Sequence, residues 1–411
     1  MIEVAAFREA ARAWLEANAE PRAGDDNPAV LFLEHGDEDA WIAESRRWQR
    51  RLFEAGWTGI TWPEEYGGRG LSPVHQIVWQ VESSRYQIPT EVFGIGIGMG
   101  GPTVIAWGTE EQKQRWLRPM LRGDEIWCQM FSEPNAGSDV AGVQTRAVPD
   151  GDEWVVNGQK VWTSGAHYSK WGMLIARTDP DLPKHRGLTY FVIDMEQPGV
   201  EVRPLRQMTG GANFTEVYFT DARIPADGLL GPPGSGWSVA VTTLMNERTS
   251  IGAAGGLAGG TGPAALRRLA AEAAERTGGA LVADPALRDR LADVAIRSRV
   301  VELHAARIVA GLERGDVPTA EGSIAKLLLT DLLERIATLG VDLSGPYGAL
   351  AGRDALAGGQ WSQAFLGYPG MRIAGGTDQI MRNVIGERVL GLPGEPRADR
   401  DVPFRDIPAN R

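Results

Sequence analysis

Along this chain the hydrophobic rhythm changes twice, and that change restricts the fold more than any other feature. Apolar residues spaced by three and four lie on one face of a helix, whereas spacing by two marks a half-buried strand. Residues 1–125 follow the first rule. In "FREAARAWLEANAE" the positions Phe7, Ala10, Ala11, Trp14 and Leu15 share one helical face. In "GTEEQKQRWLRPMLRGD" Thr109 stands as N-cap and Gly123 lies beyond the C-terminal end of a second helix. Between them "TWPEEYGGRG" is turn-rich. Residues 126–235 follow the second rule. "EWVVNGQKVW" reads as two short β-rich runs around Asn157-Gly158, a pair that favours the positive φ values of a tight hairpin. "GLTYFVID", "VEVRPL" and "TEVYFTDARIP" continue the series, which predicts a small antiparallel β domain.

From 236 to 411 helices return. "ADPALRDRLADVAIRSRVVELHAARIVAGL" starts with Asp284 as N-cap and Pro285 at the first helical position. Its Leu287, Leu291, Val294, Val301, Ala305, Ile308 and Leu312 form one apolar stripe, interrupted at Ser298, that faces either a bundle or a partner chain. "TAEGSIAKLLLTDLLERIATLG" and "DQIMRNVIGERVLGLP" are two further helices, the second stopped by Gly391 and Pro393. The expected fold is therefore α+β, with domains at 1–125 (helical), 126–235 (β) and 236–411 (helical bundle).

Charge and cysteine content remove several function classes. Asp+Glu 53 against Lys+Arg 42 leaves a net charge of −11 without a basic block, which argues against nucleic acid or an anionic membrane as a main partner. Cys128 has no second cysteine to pair with and reads as a small buried hydrophobe, and the five scattered histidines give no metal-ligand spacing. The N-terminal residues lack an apolar core followed by a cleavage site, and no window approaches ~18 uninterrupted apolar residues, so a cytoplasmic location is expected.

Four segments have the residue types for chemistry. "FSEPNAGSDVAG" (131–142) offers backbone N–H groups and hydroxyls that suit a phosphate or a polar ring edge, or else a turn-rich connector. "KVWTSG" (160–165) sets Trp162 beside Thr163 and Ser164; a single Trp serves either as core or as a stacking surface. "LMNERTSIGAAGGLAGG" (244–260) opens on Glu247 and Arg248, either a solvated pair or a functional one. In "RIAGGTDQIMRN" (372–383) small residues run into Thr377 and Asp378, either able to cap the following helix, whose N-terminus can receive an anion. No G-x-G-x-x-G follows a strand, so a Rossmann dinucleotide site is not supported.

The order of these segments resembles that of the acyl-CoA dehydrogenases. The likeness runs from "RAWLEAN" through "GWTGITWPEEYGGRG", "WGTEEQKQRWL", "FSEPNAGSDVAG", "VVNGQKVWTSG" and "VYFTDARIPADGLLG" to "AGGTDQIMRNVIGERVLGLP". It implies a helical domain, a middle antiparallel β-barrel or sandwich and a C-terminal helical bundle, with FAD held without a Rossmann fold. It also implies oxidation of an acyl-CoA thioester between Cα and Cβ to a trans-2-enoyl-CoA: a base takes the α-proton, and the β-hydrogen leaves as hydride to flavin N5. By the same resemblance Phe131, Ser132, Trp162, Ser164, Thr377 and Gln379 contact FAD, Ser138 touches the pantetheine of CoA, and the Gly375 N–H donates to the thioester oxygen.

The departures from the family pattern are equally specific. Where many members read Tyr-Glu-Gly-Thr, with Glu as base, this chain reads Ala374-Gly375-Gly376-Thr377. Isovaleryl-CoA and long-chain branches place the base on the helix after the β domain, just before an Arg, which here is Glu247 followed by Arg248. The partner-facing Arg-x-x-Phe-Gly motif is reduced to "RTGGA", with Arg276 kept and Gly279 in place of the aromatic residue, and Gln-x-x-Gly-Gly-x-Gly is replaced by "DLSGPYG" (342–348). That asymmetry resembles actinobacterial heteromeric dehydrogenases and implies either an α2β2 assembly or a homo-oligomer, with electron-transfer flavoprotein as acceptor. By the resemblance Arg248 and Ala374 belong to the substrate region, and Ala374 with the small residues of 252–260 replaces bulkier side chains near the acyl pocket, which suggests a bulky or branched acyl group, though the glycines also suit close helix packing. A flavin oxidase or monooxygenase on the same fold, or a non-catalytic subunit, are the alternatives.

Overall fold

The computed structural model describes residues 2–22, 37–255, 262–277, 284–314 and 321–408, with backbone only for 248–255. Among them, helices α1 (Val4–Asn18), α2 (Glu38–Glu54), α3 (Pro73–Ser83), α4 (Gly101–Trp107) and α5 (Glu110–Arg122) precede the strands. The strands are β1 (Trp127–Met130), β2 (Arg146–Asp150), β3 (Glu153–Ser164), β4 (Trp171–Arg177), β5 (Leu188–Asp194), β6 (Val200–Leu205) and β7 (Phe214–Pro225). Helices α6 (Gly236–Gly255), α7 (Pro263–Thr277), α8 (Pro285–Glu313), α9 (Glu321–Ser344), α10 (Gln360–Ile373) and α11 (Asp378–Arg388) follow. The chain forms two units that interleave in sequence, 1–33 with 72–88 and 248–394, and 34–71 with 89–247 and 395–411.

In the second unit six of the seven strands run in the order β1-β4-β2-β3-β7-β6, and β5 pairs with β4 off this path. Most pairs are antiparallel, as expected from the short connections, but β1 and β4 pair in parallel from Trp127↔Trp171 to Met130↔Leu174. Both faces of β4 and β5 are covered. Met173, Ile175, Tyr190 and Val192 pack with Trp116, Trp127 and Val239, while Leu174, Ala176, Phe191 and Ile193 pack with Met130, Val217 and Ile224. Burial on both faces explains why these strands read as apolar runs rather than as clean alternation.

The expected hairpin at Asn157-Gly158 does not form: β3 passes through it unbroken, and the turn into β3 lies at Asp150–Glu153, with Gly151 at φ +67°. Gly158 instead sits beside a bulge against β7 at φ +152°, where a Cβ would lie 2.5 Å from Thr145 Oγ1. Asn157 is used from its side chain, donating to Asp221 Oδ1 at 2.9 Å and accepting from the Asp221 N–H at 3.0 Å. The dipeptide thus serves a close strand approach, not chain reversal.

In the first unit, α1 and α3 pack together through the buried Phe7 and the His75 ring, 5.0 Å apart and edge-on. The bundle of α7 to α10 closes over Leu266, Leu269, Leu287, Val294, Val301, Leu332, Ile336 and Trp361. On α8 the expected stripe enters this bundle at Leu287, Val294 and Val301, and Ser298 is tolerated because its Oγ donates to the Val294 carbonyl at 2.8 Å. Helix starts match local sequence signals. Thr109 and Gln112 form a reciprocal capping box, Asp284 caps α8, and Thr377, rather than Asp378, caps α11. Among the described residues no helix is long and apolar enough to cross a membrane, and no cluster of His, Cys, Asp and Glu fits a metal ion.

Candidate active site

Phe131 leaves β1 and turns inward, meeting the Tyr190 ring edge-on at 5.8 Å. Glu133 and Ala136 then exchange backbone hydrogen bonds of 2.9 and 3.0 Å, closing a tight turn. Beneath it the Lys160 ammonium, fully buried on β3, donates to a Glu133 carboxylate oxygen at 2.8 Å and to the Phe131 carbonyl at 3.1 Å. The Gln144 and Thr145 amides donate to the same carboxylate at 2.6 and 2.9 Å. Burial works against the ionised Glu133, but Lys160 and these donors outweigh it and hold the carboxyl below its usual range. The loop is therefore anchored from below, with Ser132 half-buried and Asn135, Gly137 and Ser138 exposed. Sequence reading passed over Glu133 and Lys160. The available signal was a lysine inside an apolar strand run with an acid in the preceding loop, but it does not say which acid pairs with which base.

Trp162 is not a core residue. It takes φ +60°, a conformation that costs a non-glycine residue roughly 1–2 kcal/mol, at a register shift between β3 and β7. The indole is 57% exposed and touches Phe214 edge-on at 5.8 Å, which leaves a ring face toward solvent. Next to it Thr163 is fully buried with no hydrogen-bond partner for Oγ1 among the described residues, and Ser164 is half-buried opposite Phe214. A flat aromatic surface displayed at backbone cost, beside two hydroxyls and a loop with exposed amides, fits a planar heteroaromatic ring such as a flavin.

Thr243, one turn before Glu247 on the same face of α6, belongs to a buried hydroxyl chain with Thr103 at 3.0 Å and Tyr190 at 3.1 Å. This chain fixes the helix that carries Glu247, itself half-buried. The side chains of Arg248 and of the small-residue run lie outside the described residues, as does Gly279.

In the other unit the turn after α10 is held from beneath by Lys326. Its ammonium donates to the Arg372 carbonyl at 3.2 Å, the Gly376 carbonyl at 2.8 Å and Asp378 Oδ1 at 2.9 Å. Arg372 and Thr330 donate to the same buried carboxylate at 2.8 and 3.0 Å. Above this network Gly375 and Gly376 take φ +63° and +87°, and among the described residues neither amide has an intramolecular acceptor. A glutamate at Gly375 would carry a left-handed backbone penalty of about 1 kcal/mol, so the turn suits a bare N–H better than a side-chain base. The Thr377 hydroxyl accepts from the Ile380 N–H at 3.1 Å, while Gln379 and Ala374 are exposed. Arg276 is engaged within its own unit, donating to Glu272 at 3.3 Å and lying 5.4 Å from the Tyr347 ring centroid.

Burial disfavours the ionised Asp378, but its bonds from Lys326, Arg372 and Thr330 outweigh that and depress its pKa. A depressed carboxyl stabilises the fold above its unfolded pKa of about 3.9 and ceases to do so as pH falls through the lower folded value. Unfolding at pH 7 and pH 3 is therefore expected to show an acid-induced loss that Asp378→Asn reduces, and an unchanged pH dependence in the variant would disprove it.

The site residues divide between the units: Phe131, Ser132, Ser138, Trp162, Ser164 and Glu247 in one, Arg276, Ala374, Gly375, Thr377 and Gln379 in the other. Cys128 is fully buried, and burial pushes its thiol up to about 12, an inert group.

Three family models match in succession, the acyl-CoA dehydrogenase N-terminal domain over residues 3–124, the middle domain over 128–222 and the C-terminal domain over 234–390. The acyl-CoA dehydrogenase IpdE1 of Mycobacterium tuberculosis is 39% identical over 403 residues, 97% of this chain and all of the relative, and that of Mycolicibacterium smegmatis is 38% identical over 407 residues, 96% of this chain and 99% of the relative. Among solved structures, the ChsE4-ChsE5 complex from Mycobacterium tuberculosis is similar at a TM-score of 0.75 and 27% identity, covering 96% of this chain and 99% of the other. The Tcur3481-Tcur3483 steroid ACAD is similar at 0.75 and 27%, covering 95% and 98%.

Proposed function

Since the chain belongs to the acyl-CoA dehydrogenase family and is an oxidoreductase of that class, we propose that Glu247 removes the α-proton of a bulky or branched acyl-CoA. The Gly375 N–H donates to the thioester oxygen as negative charge gathers there. An α C–H beside a thioester is far less acidic than a carboxylic acid, so removal of its proton needs that oxygen stabilised as charge develops. A backbone donor at Gly375 does this without a side chain, which is why the turn functions with no carboxylate of its own.

The family implies a flavin, and the residues present fit FAD. Phe131, Ser132, Trp162 and Ser164 hold the ring, with Thr377, Gln379 and Arg276 as further contacts. When bound, the flavin supplies the acceptor for the β-hydrogen. The chain's own residues do the rest: Trp162 gives the ring a flat wall, Lys160 and Glu133 keep the loop carrying Ser132 in place, and Ser138 meets the pantetheine. The observation that carries this reading is the exposed Trp162 held in a left-handed conformation. The acyl group is read as steroid-derived or otherwise bulky because Ala374 is small and because a similar solved structure is titled a steroid ACAD. The likeness to two solved structures named for pairs of proteins, with the reduced partner-facing motifs, supports a heteromeric assembly, which we read as α2β2 in preference to a homo-oligomer; electron-transfer flavoprotein is the acceptor the family resemblance implies.

Anaerobic bleaching of the bound flavin by a panel of acyl-CoAs tests this directly. Steroid-derived and branched thioesters are expected to bleach it and butyryl-CoA to do so more slowly. Fastest bleaching by butyryl-CoA would overturn the wide-pocket reading, oxygen uptake without ferrocenium reduction would favour an oxidase, and one FAD per chain in a purified homomer would overturn the heteromeric assembly.

A further inference from the structure

Arg177 ends β4 with its guanidinium buried, and among the described residues it forms no ion pair. Its donors go to carbonyls, that of Lys184 at 2.6 Å and those of Ala141 and Val143 at 2.5 and 3.3 Å. Among the described residues Nε has no hydrogen-bond partner. Such a charge is costly unless something other than water compensates it. The carbonyls and the nearby carboxylates of Glu133, Asp139 and Asp179 offset part of that cost, and the ring of Phe404, its centroid 3.7 Å from the guanidinium carbon, adds a cation–π contact that also covers the group from solvent. Desolvation nevertheless pushes the guanidinium down to about 10.

Phe404 is brought there by the 395–408 segment. Its N–H donates to the Leu182 carbonyl at 2.9 Å, the Arg405 N–H donates to the Pro180 carbonyl at 3.0 Å, and Pro403 bridges Pro183. A second connection lies beside the first: the Lys184 ammonium pairs with Asp399 at 2.8 Å and with Asp139 at 2.9 Å. Both connections end on residues 139–143, immediately after Ser138.

We propose that Phe404 and Arg177 are positioning residues for the loop 131–142, with segment 395–408 acting as a strap that sets where Ser138 stands to receive acyl-CoA. The Arg177 donors fix the carbonyls at Ala141 and Val143, Lys184 fixes Asp139, and Phe404 keeps Arg177 dry enough to bond carbonyls rather than water. This rests on the reading that Ser138 meets the pantetheine.

The test uses the full-length, flavin-loaded enzyme with the acyl-CoA that bleaches it fastest. Phe404→Leu keeps apolar cover but removes the π face, and Phe404→Tyr keeps both. Phe404→Leu is expected to speed amide exchange at 139–143 about tenfold and to raise KM about fivefold with kcat little changed, while Phe404→Tyr behaves as the parent. Asp399→Asn, a surface change that cuts the second connection, is expected to speed exchange in the same stretch and serves if Phe404→Leu does not fold. Unchanged exchange in these variants overturns the strap. Faster exchange with unchanged KM overturns its part in substrate binding and places the failure in the reading of Ser138.

Discussion

Glu247→Gln is expected to lower kcat by ~10³-fold while flavin stays bound and KM changes only a few-fold. Glutamine keeps the size and hydrogen-bonding reach of the side chain but cannot accept a proton, so the substitution removes one chemical capacity and little else. General-base catalysis typically contributes ~10²–10⁴-fold, and a poorly acidic α C–H places this case well inside that range. The turn that carries the base in many relatives has Gly375 here, with a left-handed backbone and a bare N–H. Anaerobic mixing with the best substrate separates the outcomes cleanly, because loss of flavin bleaching reports proton removal whichever acceptor follows. Unchanged bleaching by a flavin-loaded Glu247→Gln enzyme would remove Glu247 from the mechanism. A parent enzyme that binds flavin yet bleaches with no thioester would instead point to a non-catalytic subunit.

The largest effect on stability is expected at Lys160→Met, a loss of about 3–5 kcal/mol in urea unfolding. Lys160 and Glu133 are both buried, and taking away the ammonium leaves a desolvated carboxylate that keeps the Gln144 and Thr145 amides but loses its paired charge. The pair itself is not worth that much, since bringing both charges out of water consumes most of their attraction. The double variant Glu133→Gln with Lys160→Met is accordingly expected to recover much of the loss. A single-variant cost below ~1 kcal/mol would show that the pair does not anchor the loop. Flavin affinity should fall with stability in Lys160→Met, because the Phe131 carbonyl loses its donor at the start of that loop.

How much of this was readable in advance depends on the range of the interaction. Caps at Thr109, Asp284 and Thr377 involve residues two or three positions away; the first two were legible, and the third was narrowed to Thr377 or Asp378. The strands at 188–194, 200–205 and 214–225 were legible from period and composition. Asn157-Gly158 misled because a pattern that permits positive φ does not say whether the chain turns; Thr145, packed against Gly158 across the sheet, decided that it would not.

The ordered motifs by themselves therefore determined the family and the helix–strand–helix succession, and they supplied the residues proposed for the site, since each rests on local periodicity, local capping or a contiguous run of residue types. Only the tertiary structure decided that Trp162 is displayed rather than buried, that Lys160 neutralises Glu133, and that Arg177 is covered by Phe404. Each of these turns on desolvation, and the water a side chain loses depends on distant segments folding over it, which no spacing along the chain records.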